Sequence, residues 1–260
     1  MQRAENIITK AVDFILNNPM NYIEELDKLQ IFEGPLFGFA NPRDELFEKL
    51  KEEDIIGLHH IEPEQWLPGA RTVISYFLPF SHGVRKSNRV SRELPSTEWL
   101  YGRIEGQALN NALASYLVRE LETMGGKAIY PALDPRFTVL NKRSSWSERH
   151  VAFIAGLGTF NLGKSFITEM GCAGRLGSVV TTVEYPYTQR QYKDIYEYCN
   201  FCGACIKRCP ALAISKDGKD HDLCSKYIDE IILPRYKPRY GCGKCQTGVP
   251  CENLIPKKID

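Results

Sequence analysis

Apolar positions in the first part of the chain recur with helical and strand periods in turn. Residues 4–18 set Ile7, Ile8, Ala11, Val12, Phe14 and Ile15 on one helical stripe, which predicts a helix packed on a core. Residues 71–79, entered from the turn at Pro68-Gly69, carry Val73, Ile74, Phe77 and Leu78 with little polar face, so they read as a strand buried on both sides. The clearest helix spans residues 107–124, with Leu109, Leu113, Leu117 and Leu121 on one face and Gly125-Gly126 ending it. A short strand at 127–133 closes at Asp134-Pro135. Ser145-x2-Glu148 then has capping-box form and opens a helix that stops at Gly156. After the glycine-rich stretch 156–163, residues 166–168 and 176–184 predict a hairpin joined through Gly171 and Gly174. The order of elements makes the chain α+β, with a mixed-sheet α/β core. The polar stretch from Tyr185-Pro186-Tyr187 to Tyr198 marks a boundary, giving units 1–190 and 191–260.

Beyond that boundary cysteines replace the hydrophobic pattern. Cys199-x2-Cys202-x2-Cys205-x3-Cys209-Pro210 has the spacing with which bacterial ferredoxins hold [4Fe–4S] clusters, and the fourth cysteine of such a run ligates the other cluster of a pair. Cys224, Cys242, Cys245 and Cys251 complete two sets of four thiolates. The expected groups are Cys199, Cys202, Cys205 and Cys251, and Cys209, Cys224, Cys242 and Cys245, which leaves Cys172 over. Zinc would call for separated pairs of knuckles, whereas three consecutive short intervals crowd a tetrahedral ion. Disulfides would call for an oxidising compartment. The N-terminus lacks the uninterrupted apolar stretch and small-residue cleavage site of a signal peptide, so a cytoplasmic location with reduced thiols is expected.

A chain of 260 residues, 43% hydrophobic and 25% charged, can bury one large core and carry a small ferredoxin-like module besides. Its net charge of +1 exerts no overall pull on nucleic acid. No apolar run reaches the roughly 18 residues that would span a bilayer, so membrane insertion is not expected. Arg85, Lys86, Arg89 and Arg92 crowd a loop-like stretch, read either as an anion reader or as a solvated loop balanced by Glu93 and Glu98. Gly158-x4-Gly163-Lys164-Ser165 spells a P-loop. It is preceded by a helix rather than a strand and followed by β-rich sequence, so close approach of a flat cofactor to the backbone is the preferred account of its glycines.

Taken in order, Trp66-Leu-Pro-Gly-Ala-Arg-Thr-Val-Ile74, Glu148-Arg149 leading into Ala155-Gly-Leu-Gly158 and Gly163-Lys164, the cysteine run, lone Cys224 and Tyr240-Gly-Cys-Gly-Lys-Cys-Gln246 resemble the epoxyqueuosine reductase family, relatives of the corrinoid reductive dehalogenases. The resemblance covers about residues 60–251. It implies a cytoplasmic reductase with two [4Fe–4S] clusters and a bound cobalamin, whose reduced cobalt attacks substrate carbon. A low-potential donor such as ferredoxin or flavodoxin would supply the electrons. It also implies cofactor-binding positions at Ala155, Gly156, Leu157, Gly158 and Ser178. The chain departs from the family in three places. Lys142 stands where the family's proton-donating Asp is expected, the tail is only nine residues past Cys251 where tRNA-acting members continue into helical repeats, and the Cys-Pro ending is missing. A small-molecule substrate is therefore expected rather than nucleic acid. Tyr101, Asp134 and Glu148 are the candidate acids, against the alternatives of packing beside Trp99, a turn and a helix cap. Two other readings stay open, an electron carrier without its own substrate and a truncated tRNA epoxyqueuosine reductase.

Overall fold

The computed structural model describes residues 2–258. Helix α1 (Gln2–Asn17) buries Ile7, Ala11 and Ile15, as its stripe predicts. Strand β1 (Leu36–Ala40) is followed by β2 (Thr72–Pro79), all eight residues of which are buried. Helix α2 (His82–Val90) leads into α3 (Thr97–Thr123), then come β3 (Ala128–Ile129), α4 (Glu148–Ile154), β4 (Gly158–Phe160), β5 (Phe166–Thr168) and β6 (Gly174–Thr181). The cysteine-rich part adds α5 (Ala204–Arg208) and α6 (His221–Tyr227).

One sheet, ordered β1-β2-β6-β3, organises the core, and each of its pairs is antiparallel. The expected mixed sheet is thereby corrected: no crossover returns a strand in the parallel sense, while the α+β class holds. One face is covered by α1 and by Leu109, Leu113, Leu117 and Leu121 of α3, all fully buried, and burying each such leucine stabilises by about 1.5–3 kcal/mol. Over the other face, Phe47, Trp66, Trp146, Val151 and Ile154 form a second cluster. Central β2 is covered on both sides, which is why its sequence shows no polar alternation.

Three local expectations change. Residues 82–90 are helical, capped by the Ser81 hydroxyl on the Val84 amide, and the basic run is neither a free loop nor an open anion reader. Its counter-charge is Glu252, 3% exposed, which pairs with Arg89 and lies 3.7 Å from Arg85, and this joins the core to the cysteine-rich part. Lys244, fully buried, adds to that junction by donating to the Asn88 carbonyl at 2.7 Å. Strand β5 pairs with β4, not with 176–184, because β6 already has β2 and β3 as neighbours. Finally, α4 is capped at Ser147, so Glu148 is its first residue and caps nothing.

The β4–β5 hairpin also explains the glycine loop. A Cβ on Gly158 would overlap the Ile167 carbonyl across the hairpin, and one on Gly156, at φ +83°, would press on the Thr188 side chain. Both glycines pack closely against neighbouring chain. No helix follows Lys164, whose ammonium meets the Tyr196 hydroxyl, so the P-loop spelling has no P-loop structure behind it. Gly158→Ala is expected to lower stability by about 1–3 kcal/mol, the range for overpacking. Urea unfolding measures this, and an unchanged midpoint would contradict the packing account.

Candidate active site

The cysteines line two cavities. Cys199, Cys202, Cys205 and Cys251 line one small cavity, and Cys209, Cys224, Cys242 and Cys245 line the wall of a much larger one. Short α5 carries Cys205 and leads to Cys209, so one turn of chain feeds both groups. Burial pushes the Cys205 and Cys242 thiols up to about 12, so binding iron there requires loss of protons that the empty thiols hold tightly. Cys172 lines the larger cavity as well. It is buried with its sulfur 3.8 Å from that of Cys251, whose pKa is lowered by the hydrogen bond from Cys172.

The large cavity, about 590 Å³, lies between the start of β6, helices α3 and α4, and the second cysteine group. Phe77, Trp146, Phe166 and Leu176 give it broad apolar walls. Among the described residues its one carboxyl is Glu148, set there by the first turn of α4. Trp146 Nε1 donates to Ser178 Oγ at 2.8 Å, and that hydroxyl donates to Glu148 Oε2 at 2.6 Å. Glu148 Oε1 is buried with no hydrogen-bond partner among the described residues. Burial raises the Glu148 pKa to about 8, and the Ser178 hydrogen bond offsets this only in part. The carboxyl therefore keeps its proton at neutral pH. With Oε2 already accepting from Ser178, the proton resides on Oε1.

The other candidate acids lie elsewhere. Asp134 is held ionised by the Arg136 guanidinium at 2.8 Å, with its pKa lowered, and Tyr101 packs under the Arg239 guanidinium, 3.7 Å from its ring centroid. Neither lines the cavity. Lys142 pairs with Asp222 at the surface. Ala155 and Leu157 are buried in apolar clusters, and Gly156 and Gly158 pack against chain, so none of the four faces the cavity. Ser178 acts at one remove, through Glu148. Sequence reasoning missed Trp146, Arg103 and Arg175 on the wall. Trp146 could have been found as the residue inside the Ser145-x2-Glu148 turn, but nothing in the local sequence marks either arginine.

Residues 192–215 match the family described as the 4Fe-4S binding domain. No curated protein matches the chain. Among solved structures, the catabolic reductive dehalogenase NpRdhA in complex with 3-bromo-4-hydroxybenzoic acid aligns over 85% of this chain and 30% of its own, at 12% identity and TM-score 0.57. A selenomethionine-labelled epoxyqueuosine reductase aligns over 98% and 69%, at 17% identity and TM-score 0.55. An epoxyqueuosine reductase with an epoxyqueuosine-modified tRNA stem loop aligns over 96% and 65%, at 18% identity and TM-score 0.50. The chain thus spans less than a third of the dehalogenase and about two thirds of the epoxyqueuosine reductases. The cysteine segment marks an iron–sulfur binding protein. Its fold is the one that epoxyqueuosine reductases and reductive dehalogenases share. The expectation that nucleic acid is no partner finds no support here, since one of these structures carries a tRNA stem loop. Among the described residues no helix is long and apolar enough to cross a membrane.

Proposed function

We propose that the protein is a reductase in which two [4Fe–4S] clusters, one on each cysteine group, deliver single electrons to a cobalamin in the large cavity, and that Glu148 protonates the substrate reduced there. The division into a cofactor-binding unit, 1–190, and a two-cluster unit, 191–260, belongs to this reading. The observation that carries it is the cavity itself: a protonated carboxyl and the four cysteines of the Cys209 group share one apolar-walled space, with Cys172 also on its wall. The residues fit a large flat cofactor. Phe77, Trp146, Phe166 and Leu176 would offer it planar and aliphatic surface, and the cavity has an open side for what extends beyond its walls.

Cobalamin, when bound, supplies a metal that takes electrons singly and reacts with carbon. Everything else falls to the chain. A cluster on the Cys199 group would receive electrons from a low-potential donor of the ferredoxin or flavodoxin class. The Cys209 group passes them into the cavity. Two electrons and the Glu148 proton would replace a substrate bond from carbon to a leaving group by a C–H bond, the leaving group departing as an anion, while Ser178 and Trp146 hold the carboxyl in place. Burial keeps that proton from exchanging idly with water.

Anaerobic titration of cobalamin with the reconstituted protein tests this reading. The visible spectrum should change to that of cobalamin with its lower base displaced. An unchanged spectrum at excess protein would favour the rival reading, an electron carrier without a substrate of its own.

A further inference from the structure

The charges around the cavity do not balance. Arg103, Arg149, Arg175, Lys164, Lys219 and Lys244 line it, against Glu148, which is neutral at pH 7. Three of these cations act on cysteine sulfurs: Arg149 and Lys219 on Cys245, and Lys244 on Cys242. Lys164 is held by Tyr196. Arg103 and Arg175 are different. Arg103 donates to the Tyr240 hydroxyl at 3.4 Å, and Arg175 donates to Gln107 Oε1, both neutral acceptors. Among the described residues neither guanidinium is within ion-pair distance of a carboxylate, whereas Arg85, buried elsewhere, has both Glu33 and Glu252. Burial and the positive charge of Arg103 push the Arg175 pKa down to about 9. Two like charges so placed in a desolvated wall are costly unless an anion joins them.

The pair is also built. Arg103 and Gln107 stand one helical turn apart on α3. Gln107 Nε2 donates to Asn111 Oδ1 at 2.7 Å, and the Tyr130 hydroxyl donates to the same oxygen at 3.3 Å. This fixes the Gln107 amide so that its oxygen faces Arg175 on β6. Tyr130, Glu148 and Arg175 line the same cavity. Planar guanidinium forks suit carboxylate and phosphate oxygens.

Resting on the reading of this cavity as the place of reduction, we propose that Arg103 and Arg175 are the oxyanion subsite for its substrate. The molecule reduced here carries a carboxylate or phosphate that the two guanidinium groups hold, with its reducible carbon turned toward Glu148.

The test is calorimetric titration of the cluster-loaded protein, with and without cobalamin, using benzoate, inorganic phosphate and neutral benzamide as probes. Benzoate or phosphate should bind the cobalamin-loaded protein and benzamide should not. Arg103→Gln and Arg175→Gln should each weaken anion binding by about tenfold or more, with cluster absorbance showing that the variants are folded. Arg175→Lys, which keeps the charge without the fork, should fall between. Equal binding to wild type and both Gln variants, or none to wild type, overturns the proposal. Cobalamin itself carries a phosphodiester, so cobinamide, which lacks it, separates the two sources. Equal affinity for cobalamin and cobinamide supports the substrate assignment, while a preference for cobalamin that Arg175→Gln abolishes would give the site to the cofactor and overturn it. If cobalamin failed to bind but anion binding kept its dependence on both arginines, the corrinoid reading would fall and the oxyanion subsite would stand.

Discussion

Anaerobic reconstitution with iron and sulfide should load about eight irons and about eight acid-labile sulfides per chain, and Cys224→Ser should reduce both to about four. The variant removes one sulfur from the cavity-side group and leaves Cys199, Cys202, Cys205 and Cys251 intact in their own small cavity. Cys202→Ser should do the converse, losing the cluster of the Cys199 group and keeping the one beside the large cavity. Either variant should stop electrons of an external donor from reaching an acceptor in the cavity, Cys202→Ser at the entry group and Cys224→Ser at the cavity-side group. Iron and labile-sulfide analysis checks this. Tightly bound zinc without labile sulfide, or a complete loss of iron in both single variants, would contradict two independent clusters.

Glu148→Gln should lower the reductive rate by about 10²–10⁴-fold, the contribution of a positioned general acid. The amide keeps the shape and the Ser178 hydrogen bond but has no proton to give. In the wild type the donor is protonated below about 8, so the rate should fall as pH rises through that value. Stability supplies a second readout that needs no substrate. Because the folded-state pKa lies above the ordinary carboxyl value of 4.5, the native protein retains a proton that the unfolded chain releases. This contribution is fully present below the ordinary carboxyl range and is lost as pH rises toward about 8. The wild-type melting temperature should therefore carry a downward slope across that window, and Glu148→Gln should remove the slope. A wild type whose rate and melting temperature show no break near 8 would remove Glu148 from the role.

Much of this arrangement was legible in the chain. The cysteine intervals identified the cluster segment because ligand spacing is a local property, and β2 and the second half of α3 announced themselves by apolar pattern. The first turns of α3 did not. Gly102 and Gly106 break the stripe, yet both lie inside the helix because the rings of Phe80 and Phe32 occupy the space a Cβ would take. The pairing of β5 with β4 was equally hidden, since the partner of a three-residue strand is decided by which edge the sheet leaves open. At the site, Glu148 could be named as a candidate but not separated from a helix cap, because its role depends on Ser147 taking the cap position. Arg103 and Arg175 could not be read at all. An arginine on a helix and another on a strand become a pair only when the sheet brings them to one wall.

The central claim is that a corrinoid sits against the Cys209 cluster, and the electron paramagnetic resonance spectrum of the partly reduced, cobalamin-loaded protein tests it most directly. Bound cobalamin should give a cobalt(II) signal without the nitrogen splitting of the lower base, broadened by the nearby reduced cluster. In Cys224→Ser that broadening should vanish while the base-displaced signal remains. A sharp cobalt(II) signal with its nitrogen splitting intact, identical in wild type and variant, would contradict the placement and with it the proposed route of electrons into the cavity.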